Sequence, residues 1–178
     1  MTKIAQNESF HKLTIAAMMN SLENLDKILV KAEAHARENK IESDVLLGAR
    51  LYPDMFSLVQ QLQYALYLPM DFAQHFSDVP APRVGYEEAS FEDVRASLKT
   101  AIAYLKVIPA NRLAERAERV VPVFFDGTKG MPAGDYAAIV AMPDFYFHLS
   151  IAYAILRHNG VPLVKKDFIG PYKSVPLG

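Results

Sequence analysis

The run from Met142 to Val161, MPDFYFHLSIAYAILRHNGV, is what most limits the folds open to this chain. Apart from Asp144, His148 and the Arg157-His158-Asn159 end, almost every side chain in it is apolar or aromatic, the composition of a helix enclosed by other helices on all sides. The rest of the chain must supply those helices. His148 is the polar exception in the middle, so it marks either a buried site or a core histidine bonded to a neighbour. No reaction follows from it alone.

Between Ile15 and Ala36 the residues Ile15, Met18, Leu22, Leu25, Leu29, Ala32 and Ala36 recur at alternating steps of three and four, the stripe of a long amphipathic helix. Glu38-Asn39-Lys40 ends it. After a connecting stretch around Asp44-Val45-Leu46-Leu47, Tyr52-Pro53-Asp54 predicts the start of a second helix, because proline suits the first helical position and a carboxylate suits the positive end. Met55, Val59, Leu62, Leu66, Met70 and Ala73 form its stripe, Pro69 bends it, and it stops near Phe76. Ser77 to Ala89, with Pro80, Pro82 and Gly85, reads as a surface loop.

Ser90 with Asp93 approximates a capping box and opens a third helix that runs through Leu105 to Pro109. Arg119 to Phe125 is strand-like, Asp126-Gly127 is a turn signal, and Pro122 confines the strand to an edge, which predicts a small hairpin. From Asp135 the chain is helical again, interrupted at Met142-Pro143-Asp144 and stopped at Asn159-Gly160, and Leu163 to Gly178 lies extended across the surface. The predicted fold class is all-α: a four-helix bundle with a small β-hairpin inserted before the last helix.

The 178 residues suit one domain, 1–178, with a substantial core. Lysine and arginine number 19 against 20 acids and are scattered, so nucleic acid is not an expected partner. Cysteine is absent, which removes disulfides, thiolate metal sites and a cysteine nucleophile together. The N-terminus lacks the layout of a secretion signal, and no uninterrupted apolar run approaches the roughly 18 residues that span a bilayer. The expected location is therefore cytoplasmic, with no membrane partner. Neither a phosphate-binding glycine loop nor a Gly-x-Ser-x-Gly elbow is present.

Three blocks, Leu51-Tyr52-Pro53-Asp54-Met55-Phe56 with Gln61, Pro143-Asp144-Phe145-Tyr146-Phe147-His148, and Ala152-Tyr153-Ala154-Ile155-Leu156-Arg157-His158-Asn159-Gly160-Val161, resemble the bacterial domain-of-unknown-function family DUF1993. The resemblance covers nearly the whole chain. That family is grouped with the DinB/YfiT-like superfamily, regarded as metalloenzymes, which implies a DinB-like bundle, often a homodimer, with a divalent metal near one end. The family itself has no established activity. The superfamily's usual ligands are a histidine from the second helix and a His-x-x-x-His pair on the last. This sequence departs from that set: Ala152 stands four residues after His148, and the helix from Pro53 to Phe76 offers only His75, near its far end.

Asp144 and His148 keep the i, i+4 spacing, and Asp54 opens the helix expected to face them, so Asp54, Asp144 and His148 form a candidate set for zinc, manganese or iron. The plain reading of both aspartates, as carboxylates stabilising helix starts, is preferred. For His148 the plain reading is a core histidine whose ring is bonded to Gln61, Gln63 or Tyr153. His158 suits a helix C-terminus, and His11 and His35 read as surface residues.

The first functional reading is therefore a bundle with a degenerate metal site and a small, partly polar cavity between helices two and four. Asp54, Gln61, Asp144, His148 and Tyr153 would line that cavity, and the protein would bind a small molecule or serve as a homodimer. The alternatives are a metal-dependent transferase or hydrolase using Asp144 and His148, and a structural dimerisation module. No residue is assigned to catalysis, and the cofactor is none or a divalent metal.

Overall fold

The computed structural model describes residues 9–77, 79–84, 87–110, 116, 119–123 and 126–177. Its frame is four long helices, α1 (Ile15–Glu38), α3 (Leu58–Ser77), α4 (Phe91–Lys106) and α6 (Met142–His158). The short helices α2 (Ser43–Gly48), α5 (Ala133–Tyr136) and α7 (Lys165–Ile169) and the strands β1 (Val120–Val123) and β2 (Asp126–Pro132) complete it. α3 packs between α6 and α4, and α4 packs in turn on α1. Every member of the α1 stripe, from Ile15 to Ala36, is buried in the shared core.

α4 begins as the sequence predicts. Ser90 Oγ accepts the Asp93 backbone N–H at 3.1 Å, and Asp93 Oδ2 accepts that of Ser90 at 3.0 Å, so two orphan donors are satisfied reciprocally.

α3 does not begin at Tyr52-Pro53-Asp54. The Met55 N–H donates to the Tyr52 carbonyl at 3.0 Å, which makes 52–55 a turn with proline and aspartate at its two central positions. Asp54 is exposed at its tip. The helix starts instead at Leu58, where the Ser57 backbone N–H and hydroxyl both donate to Gln60 Oε1, at 2.9 and 3.0 Å. Ser-x-x-Gln is itself a capping signal, and it stands nearer the apolar stripe than the proline does.

The helix preceding α6 continues through Met142-Pro143 where the sequence predicts an interruption. Residues Ala137–Ala141 form a π turn in which the Met142 N–H reaches the Ala137 carbonyl. Pro143 has no N–H and crowds the turn before it, and the wider π turn relieves both problems. The helical run Ala133–His158 is consequently long and apolar enough, by length and composition, to cross a bilayer, which the sequence reading did not allow for. Within the bundle it buries one face, Phe145, His148, Leu149, Ala152, Ile155 and Leu156. It is not enclosed on all sides, because each helix of a four-helix frame turns one stripe inward, and Phe147 is 52% exposed.

β1 and β2 pair antiparallel with Val121 opposite Met131, Pro122 opposite Gly130 and Val123 opposite Asp126. The register shifts between Pro122 and Val123, and Asp126-Gly127 belongs to β2 rather than to a turn. Gly130 is required, since a Cβ there would come within 2.6 Å of Val120 Cγ1 and 2.9 Å of the Val121 carbonyl oxygen.

Beyond Leu163 the chain is not wholly extended. Asp167 Oδ2 caps the Val164 N–H at 2.9 Å and nucleates α7, which Asn24 and Lys31 hold against α1 through the Ile169 carbonyl and the Asp167 carboxylate.

Candidate functional site

Gln61 and Tyr64 lie in the first turns of α3, and Asp144 and His148 in the first turns of α6. Packing of α3 on α6 brings the two pairs together. His148 is 7% exposed and Gln61 1%, and His148 Nδ1 lies 2.6 Å from Gln61 Oε1. On the other side of the ring, Nε2 is 3.4 Å from Oδ1 of the half-buried Asp144. Tyr64 stacks on the imidazole with ring centroids 4.8 Å apart, Phe56 lies nearly parallel at 6.2 Å, and Phe147 meets it edge-on at 5.4 Å.

The amide of Gln61 has one orientation in which its NH2 meets a carbonyl and its oxygen meets a ring N–H. Its Nε2 donates to the Phe56 carbonyl at 3.5 Å, so Oε1 turns toward the ring and Nδ1 carries the proton. Nε2 is then the nitrogen with the free electron pair. Burial holds the His148 pKa below its usual 6.5, and the Asp144 carboxylate, which works to raise it, does not fully compensate. Burial favours the neutral ring and Gln61 holds its proton on Nδ1, against the pull of the Asp144 carboxylate for a proton on Nε2.

Of the residues singled out in the sequence, Gln61, Asp144 and His148 come together. Asp54 does not, because the turn that holds it precedes α3 and leaves it exposed. Tyr153 packs edge-on against Phe168 of α7 at 5.7 Å, and Gln63 donates to Glu88 at 3.0 Å. The rings of Phe56, Tyr64 and Phe147 pack around the imidazole. Sequence reasoning missed Tyr64, although its position three residues after Gln61 places it on the same helix face.

A family model described as "Domain of unknown function (DUF1993)" matches residues 10–169. The chain belongs to the DUF1993 family. Among solved structures, this DUF1993 chain is similar to a DinB family member protein from Shewanella denitrificans. The two are 31% identical with a TM-score of 0.88, over 96% of this chain and 98% of that one. The DinB-like fold is thereby shown. A comparison with curated proteins gave no match.

Whether a divalent ion fits depends on the donors. The Nε2 to Oδ1 separation of 3.4 Å would suit two neighbouring corners of a coordination sphere, so ligand count decides. α3 contributes Gln61, whose oxygen is committed to Nδ1. Among the described residues no group of three or more His, Asp or Glu side chains is placed to hold a metal. Zinc sites use at least three protein ligands, and the pair here does not supply them.

Proposed function

We propose that this DUF1993 protein has lost the metal centre of its superfamily and keeps Gln61, His148 and Asp144 as a metal-free site that accepts a proton from a small-molecule ligand. The 2.6 Å contact between Gln61 and His148 carries the reading, because it uses the contribution of α3 to fix the ring rather than to bind an ion. Nε2 accepts the ligand's N–H or O–H proton, and the adjacent carboxylate stabilises the imidazolium that results. Such a cluster serves recognition or general-base chemistry equally. Metal analysis of protein purified without a histidine tag tests it. Substoichiometric zinc, nickel and manganese are expected, with no rise in Tm on adding these ions. Stoichiometric metal that disappears in His148→Ala would reinstate the metal-dependent transferase or hydrolase with Asp144 and His148 as ligands.

A second reading concerns the partner. α6 is apolar nearly all round, yet Phe147 on its outer face is 52% exposed and Phe56 beside it 40%, both against the His148 ring. We infer that a second copy covers this surface, giving the homodimer that the superfamily likeness implies. Light scattering should report the dimer mass for the native chain and the monomer mass for Phe147→Glu. A native monomer at high concentration counts against it.

A further inference from the structure

Asp71 lies on α3, two residues past Pro69, and is only 7% exposed. A buried carboxylate normally has a cationic partner in the chain. Here its donors are Gln74 Nε2 at 2.8 Å and the Tyr67 hydroxyl, both neutral, with His75 Nε2 at 3.6 Å, a cation only when protonated. Burial works to raise the Asp71 pKa, but the contacts with His75, Gln74 and Tyr67 together hold it below the usual carboxylate value. The group is thus kept ionised with a histidine, rather than a lysine or arginine, as its nearest potential cation among the described residues.

Beside it is a cavity of about 140 Å³ between α3 and residues 81–84, walled by Tyr67, Met70, Asp71, Gln74 and Val84, with Arg83 exposed at the rim. That volume holds a handful of heavy atoms, taking roughly 30 Å³ as the share of one water. Arg83 and Val84 also border an open groove of about 870 Å³ that carries Glu87, Glu88 and Asp93. The side chains that Glu88 holds, Gln63 at 3.0 Å and Ser97 at 2.6 Å, are neutral and leave its charge in place. Among the described residues, cavity and groove together present four carboxylates against one guanidinium, a field that draws cations and repels anions.

The geometry points to a second ligand site, separate from His148, in which Asp71 is the counter-ion of a small primary alkylammonium. The ammonium's three N–H groups face the Asp71 carboxylate, the Gln74 Oε1 and the Tyr67 hydroxyl oxygen, and its alkyl stem lies on Met70 and Val84. A divalent ion suits the site less well, because Tyr67 and Gln74 already turn donors toward Asp71, leaving a single carboxylate at the base.

Titration of the full chain with n-butylammonium chloride, followed by proton–nitrogen NMR, tests the assignment. The Gln74 side-chain amide and the Val84 backbone amide should shift saturably, butyrate should leave them unmoved, and Asp71→Asn should weaken binding about tenfold or more. Should Asp71→Asn fail to fold, Arg83→Ala decides, since removal of a like charge from the rim must tighten butylammonium binding. No shift in the native chain, an equal response to butyrate, or an Arg83→Ala variant that binds no better overturns the proposal.

Discussion

Phe145→Ala should destabilise the protein by about 3–5 kcal/mol, the range measured when a buried phenylalanine is truncated and its surroundings collapse only in part. Phe145 is fully buried at the centre of the α6 inner face, and its ring meets Tyr146 edge-on with centroids 5.0 Å apart. It follows Asp144 directly and precedes His148 by one turn, so its loss also loosens the α3 seam that positions both. Against a total stability of about 5–15 kcal/mol for a typical domain, the loss is large. In a chain of this size it lowers Tm by roughly ten degrees. Urea unfolding with an unchanged slope and a lower midpoint is the expected record. A change under about 1 kcal/mol would mean that α6 does not face the core as described.

Gln61→Leu has the second-largest expected effect. Leucine keeps the bulk and removes the acceptor 2.6 Å from His148 Nδ1, leaving a buried N–H without a partner at a cost of about 1–3 kcal/mol. The ring can recover part of this by moving its proton to Nε2 and donating to Asp144. The variant therefore exchanges a proton acceptor for a proton donor at Nε2. Unfolding measurements give the first effect and ring-nitrogen NMR the second. Stability equal to that of the native chain, with the proton still on Nδ1, would show that Gln61 does not set the tautomer.

How far the fold was legible depended on whether a local signal had one physical meaning. The α1 stripe and the Ser90/Asp93 cap each admit one reading, and both are where the sequence puts them. Tyr52-Pro53-Asp54 admits two, because proline followed by aspartate suits a turn's central positions as well as a helix start, and tertiary packing chose the turn. The π turn at Ala137–Ala141 leaves no trace except a proline that would strain an ordinary helix.

At the site, an inward His148 bonded to Gln61 follows from the rule that buried polar groups find partners. The choice among Gln61, Gln63 and Tyr153 needed the helix-pair geometry. Asp71 escaped notice because an acidic residue within a helix reads as solvated unless the packing of the neighbouring segment is known.

The central claim is that His148 is neutral, protonated on Nδ1 and unprotonated on Nε2. Nitrogen-15 NMR of the imidazole across pH tests it directly. The prediction is a protonated Nδ1 and an unprotonated Nε2 at neutral pH, with a midpoint below 6.5. The sign for stability follows: the unfolded chain binds the proton more readily, so the His148 contribution is present above pH 6.5 and is lost as pH falls through the folded midpoint. A proton on Nε2 at neutral pH, or a midpoint above 6.5, would contradict the account.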